Sequence, residues 1–230
     1  MANENENLSV WTSISFWRRS AAWVTGFAVV LLIWLTFDTM GQISMGTDAD
    51  LKKAVAEKKE LNRVPAPTVI NYHIDYKMSK KRGHEVPVIG PKEPFFGKEW
   101  SPKEAAALLH LGKLTVQAKN CMDCHTLLGN GAYYAPDLTK AWLDPAWQKG
   151  GAMQAMTNTS TTEEAMVKFL QNPSQYPTHA RMMPNLGITA KEAQGIVAFL
   201  KHMSSIDTNG FPRNFSKTVD QFKTGGTNAH

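Results

Sequence analysis

Cysteine is scarce in this chain: 230 residues contain two, Cys121 and Cys124. A zinc site built on this pair would need a second cysteine pair or a close histidine pair, and the sequence supplies neither. A thioredoxin-like dithiol needs a preceding strand and a βαβ setting, which the surrounding pattern lacks. Concentrated charge is also missing. The net charge of +5 comes from 2 basic and 3 acidic residues in 1–40, 11 and 8 in 41–100, and 12 and 9 in 101–230. With no basic stripe along the chain, nucleic-acid binding is excluded as the primary reading. No serine sits in a nucleophile-elbow motif, and no internal repeat or low-complexity tract occurs. Hydrophobic residues at 43% and charged residues at 20% exclude both a largely disordered chain and one with many membrane spans.

One long apolar run does occur. Ala21 to Phe37 reads AAWVTGFAVVLLIWLTF without a charge, and Trp17 before it and Thr39-Met40 after it extend it towards the ~20 residues that cross a bilayer as helix. Arg18 and Arg19 precede the run, and Trp17, Trp23 and Trp34 lie towards its ends, as expected for a cytoplasmic N-terminus with interfacial anchors. A cleaved signal would carry a shorter apolar core and a small-x-small site, which DTMGQIS does not offer.

Residues 41–100 have a different texture. A charged, helix-favouring run at Asp48–Arg63 leads into extended sequence carrying Pro65, Pro67, Pro87, Pro91 and Pro94. The thin apolar stripe of Leu51, Val55 and Leu61 predicts a helix without revealing what it packs on, and TVINYHIDY partly alternates as a strand would. We expect an exposed connection here.

Helix signals strengthen beyond Ser101. Ser101 with Pro102 and Glu104, Thr161 with Glu164, and Thr189 with Glu192 each place a capping residue three positions before an acid, and each precedes apolar residues at helical spacing. The second of these helices should stop at Asn172-Pro173 and the third near Ser204.

The chemistry concentrates at Cys121-Met122-Asp123-Cys124-His125, the spacing of c-type haem attachment. Each thiol adds across one haem vinyl group, and the turn between them delivers His125 as an axial iron ligand. One covalent haem c is therefore expected. For the sixth iron position, Arg181-Met182-Met183-Pro184 offers a thioether 58 residues beyond His125, and Met183 is preferred because a residue before proline is held extended, as a loop-borne ligand requires. Met182, His179 and an open site are the alternatives. His110 and His202 fall within predicted helices, and both methionines could instead simply pack. An iron with both axial positions filled favours electron transfer over catalysis. The expected fold is mainly α: an N-terminal transmembrane helix and a monohaem class I-like cytochrome c domain. The expected divisions are a cytoplasmic tail at 1–20, the span at 21–40, a periplasmic connection at 41–100, the haem domain at 101–207 and a tail at 208–230.

Residues Cys121 to Trp142, CMDCHTLLGNGAYYAPDLTKAW, together with RMMPNLGITAKEAQGIVAFL, resemble the cytochrome c subunit of bacterial nitric oxide reductase. The loop His125 to Tyr133 is the most specific part, because generic cytochromes share the cysteine motif but not this string. The resemblance implies a non-catalytic electron-transfer subunit in the bacterial inner membrane, with its haem domain in the periplasm. It also implies a polytopic catalytic partner carrying haem b and a haem/non-haem iron centre, and a small periplasmic cytochrome c or cupredoxin as donor. It further implies that backbone carbonyls of Gly131 and Tyr133 bind calcium at the interface between the two subunits. Read from the residues alone, Gly131 is a turn glycine and Tyr133 a haem-packing aromatic. A monohaem subunit of a related terminal oxidase and a free-standing tethered cytochrome are the competing readings. Residues 41–100 form a longer bridge than this resemblance leads one to expect.

Overall fold

The computed structural model describes residues 10–61, 63–176 and 182–212. The chain divides into two units, residues 1–44 and 45–230. The first is dominated by α1, Ile14–Ile43, a 30-residue helix about 45 Å long at 1.5 Å per residue. Its large apolar side chains are exposed on every face: Trp23 is 80% exposed and Phe27 70%. A helix that is apolar all round and unburied suits hydrocarbon rather than water, and this one is long and apolar enough to cross a membrane.

The second unit begins with α2, Asp48–Glu57, opened by a reciprocal capping box between Thr47 and Asp50. The helix stops earlier than the charged run to Arg63 suggests, because Lys58 turns left-handed at φ 50°. A 3-10 turn at Pro67–Asn71 leads into an antiparallel hairpin of β1, Tyr72–Ser79, and β2, His84–Lys92. The alternating stretch thus becomes a strand only from Tyr72, after the proline-led turn.

This region is not the exposed connection that its prolines and charges suggested. Leu51, Val69, Ile70, Tyr72, Ile74, Ile89 and Phe95 join Leu108, Trp142 and Val197 in one buried cluster. Polar contacts reinforce the join. The Asn71 amide donates to the Trp100 carbonyl at 2.8 Å and accepts from the Trp100 N–H at 2.9 Å. Lys201, fully buried, meets Glu93 at 2.8 Å. Alternate positions of a short hairpin face inward, so few apolar residues suffice to bury it and composition underreports the result.

The frame is completed by α3, Pro102–Ala118, α4, Ala152–Thr157, α5, Thr162–Gln171, and α6, Ala190–Ser204. Ser101, Thr161 and Thr189 cap α3, α5 and α6 as their spacing predicts, each side chain accepting from the backbone N–H three residues on. α5 ends at Gln171, with Asn172 and Pro173 beyond it. α3 and α6 cross at Gly112 and Gly195, where the missing side chains let the backbones touch. That crossing, with α5 packed on α6, forms the wall on which the site is built.

Candidate haem site

The end of α3 sets the site. Lys119 closes the helix, Asn120 turns left-handed at φ 52°, and a 3-10 turn at Cys121–Asp123 follows at once. The His125 N–H returns to the Cys121 carbonyl at 3.0 Å, which fixes the turn between the two cysteines. Next comes a minimal hairpin of β3, Thr126–Leu127, and β4, Asn130–Gly131, turned by Leu128 and Gly129 with φ of 51° and 79°. Gly131 has φ 116°, and a Cβ there would strike the His125 carbonyl oxygen and lie 2.9 Å from that of Met122. Only glycine permits this approach.

Cys121, Cys124, His125 and Met183 all line one cavity of about 890 Å³, in the range of cofactor sites. Its walls are largely apolar, with Val116, Leu138, Ile196 and Leu200 from the helical frame and Met166 and Phe169 from α5. Both cysteines are free and half-buried, and burial pushes the Cys121 thiol above its ordinary value. The His125 Nδ1 lies 2.7 Å from the Pro136 carbonyl oxygen. A carbonyl only accepts, so Nδ1 carries the proton and Nε2 keeps a lone pair for a metal. A paired thiol set, an imidazole with its tautomer fixed, a thioether and apolar walls are the donor set and surroundings that covalent haem requires.

The rival ligands separate on position. Met183 packs half-buried among Val116, Ile188, Ile196 and Leu200, whereas Met182 also lines the cavity but is 58% exposed. His110 is exposed on α3, and His202 is buried on α6; neither lines the cavity. His179 lies outside the described residues, as do most of the tail from 208 and the first nine residues. Tyr133, expected to pack on haem, is 81% exposed and does not line the cavity, whereas its neighbour Tyr134 does. Among the described residues no cluster of three or more His, Cys, Asp and Glu side chains surrounds a metal-sized space.

Four supports of the site are not legible in the sequence. The Pro136 carbonyl orients His125. Asp137 holds Thr126 by a 2.6 Å hydrogen bond, and the Thr139 hydroxyl accepts from the Leu128 N–H at 2.8 Å. Lys119 donates to the carbonyls of Leu186 and Gly187 at 3.2 and 3.4 Å, tying the start of the motif to the loop that follows Met183. The APDLT string was visible in the sequence, but nothing local linked it to a histidine eleven residues earlier.

A haem-attachment motif and a methionine brought to the same apolar cavity, on crossed helices that follow a membrane-length helix in the chain, define a c-type cytochrome. Residues 109–204 match the family model for cytochrome c. The chain belongs to the family of the nitric oxide reductase C subunit. It is 31% identical over 127 residues to the nitric oxide reductase C subunit of Stutzerimonas stutzeri, covering 53% of this chain and 76% of that one. It is 28% identical over 106 residues to the same-named protein of Paracoccus denitrificans and 26% over 101 residues to that of Halomonas halodenitrificans. Those matches cover 45% and 44% of this chain and 63% and 62% of the relatives, just under two thirds of their length.

Proposed function

We propose that this chain is the electron-receiving subunit of a membrane nitric oxide reductase. The observation that carries the reading is the convergence of Cys121, Cys124, His125 and Met183 on one apolar cavity, with the His125 tautomer set by Pro136. The family name of the relatives supplies the enzyme. Cys121 and Cys124 would hold haem c covalently, and His125 and Met183 would ligate its iron. Bound haem supplies one-electron chemistry, and His/Met ligation places it in a range useful for electron transfer. The protein's own part is to exclude water with Val116, Ile196 and Leu200, and to keep both ligands in place through Pro136 and Lys119.

Electrons come one at a time from a small periplasmic cytochrome c or cupredoxin and pass to haem b of a polytopic partner, whose haem/non-haem iron centre would use two of them and two protons to reduce two nitric oxide molecules to one nitrous oxide and one water. Arg18 and Arg19 before the apolar run support an N-terminus in the cytoplasm and a haem domain in the periplasm of a bacterial inner-membrane protein. The exposure of Tyr133, two residues beyond Gly131, supports a contact with the partner at this loop, where the backbone carbonyls of the two residues would bind calcium. Affinity purification of the tagged chain in mild detergent tests the assignment. We expect a large multi-span partner and nitric oxide consumption in the eluate; recovery of the chain alone, without that activity, overturns it.

A further inference from the structure

Two short basic runs that look unremarkable in sequence meet in the fold. One is Lys58-Lys59 after α2; the other is the turn of the β1–β2 hairpin, with Lys77, Lys80, Lys81 and Arg82. Arg82 joins them by pairing with Glu60 at 3.4 Å, and it also binds Asp207. The nearby carboxylates are thereby answered: Glu60 and Asp207 by Arg82, and Asp207 again by His84 at 3.2 Å. Among the described residues, the other acids near these lysines are Glu85, half-buried in β2, and Glu57 at the end of α2, which pairs with Lys53 at 4.0 Å. Lys58, Lys59, Lys77, Lys80 and Lys81 are exposed and have no ion-pair partner among the described residues. Met78, between Lys77 and Lys80 in the chain, is 59% exposed.

The patch is also connected to the haem site. A Cβ on Gly210 would lie 3.0 Å from the His84 side chain, and one on Gly129 would lie 3.6 Å from the Phe211 ring. Packed contacts therefore run from the hairpin turn through residues 207–211 to the loop that follows His125. We infer that this surface docks an acidic redox protein, one bearing carboxylates around an apolar contact, which delivers electrons to the haem. The inference rests on the electron-transfer reading and specifies its donor by charge. A lysine patch accompanied by an exposed methionine suits a transient encounter, because exposed charges steer association and their pairs cost little to break. A single-stranded nucleic acid would want aromatic stacking platforms, and among the described residues no exposed aromatic accompanies these lysines.

The test uses the intact complex in phosphatidylcholine nanodiscs. Haem reduction is followed by stopped flow with two copper proteins of matched potential, one of net negative and one of net positive charge; each passes one electron from Cu(I) to ferric iron. The acidic donor should react faster and slow with added salt. Lys58→Glu, Lys80→Glu and Lys81→Glu combined should cut its rate about tenfold at low ionic strength, within the range of electrostatic steering. Lys113→Glu, on α3 outside the patch, should leave it unchanged. Equal rates for the two donors, or an unaltered acidic-donor rate in the triple variant, overturns the proposal. So does loss of the acidic-donor preference on changing to phosphatidylglycerol nanodiscs, which would assign the lysines to lipid headgroups. Nitric oxide consumption driven by ascorbate and a small mediator bypasses docking: its persistence while the docking arms fail sinks the surface alone, and its absence in the unaltered complex sinks the electron-transfer reading.

Discussion

Gly112 and Gly195 touch where α3 and α6 cross: a Cβ added at Gly195 would lie 2.9 Å from the Gly112 nitrogen and 3.2 Å from its Cα. The reverse addition is worse, since a Cβ at Gly112 would run into the Gly195 carbonyl and lie 2.9 Å from the Phe199 Cβ. Backbone cannot yield as a side-chain tip can. Gly112→Ala should therefore destabilise the haem unit by about 1–3 kcal/mol through overpacking, despite alanine's better helix propensity. Denaturant unfolding followed by haem absorbance measures it, and unchanged stability would mean the helices can slide apart freely.

Phe95 shows that the segment between anchor and haem motif belongs to the core. It is fully buried, with its ring 5.9 Å from that of Trp142, 4.6 Å from that of Phe96, and 4.9 Å from the Lys201 Nζ. Phe95→Ala should cost about 3–5 kcal/mol. A loss below about 1 kcal/mol in the same denaturant assay would restore that segment to the status of a linker.

Met183 and Met182 differ in surroundings more than in sequence. Met183→Ala should abolish the weak far-red sulfur-to-iron band of the oxidised protein and lower its midpoint potential, because the thioether is what raises it. Met182→Ala should leave both in place, given its 58% exposure. Survival of the band in the first variant and loss in the second would exchange their roles.

His202 gives a pH dependence. Its buried Nδ1 has no hydrogen-bond partner among the described residues, and burial depresses its pKa from 6.5 to about 4. The unfolded chain thus takes up a proton between pH 6.5 and about 4 that the folded chain refuses. Stability is full above pH 6.5 and falls as pH drops to about 4, by up to roughly 3 kcal/mol at 1.36 kcal/mol per unit. The helix-cap acids Glu104 and Glu192, whose hydrogen bonds hold their pKa values low, also lose stabilising charge at acid pH. The readout is therefore the difference between the unaltered protein and His202→Gln in unfolding at about pH 7 and about pH 4.5. An identical acid-induced loss in both would remove His202 from the account.

The residues alone determined what depends on short spacing. Two cysteines and a histidine in five positions announce haem attachment because one turn of chain delivers all three. Ser101, Thr161 and Thr189 announce helices because a cap acts on a backbone N–H three residues away. The apolar run from Ala21 to Phe37 announces a membrane-length helix because bilayer thickness is read directly in residues. Tertiary structure decided what depends on distant partners. The Pro136 carbonyl finds His125 only after the intervening loop closes, Gly112 meets Gly195 only when two helices cross, and Arg82 meets Glu60 only when the hairpin folds back beside the end of α2. Residues 45–100 enter the core through Leu51, Val69, Ile70 and the inward side chains of a two-stranded hairpin, and some of the prolines themselves, Pro65 and Pro87, are buried, so a count of composition hides the result.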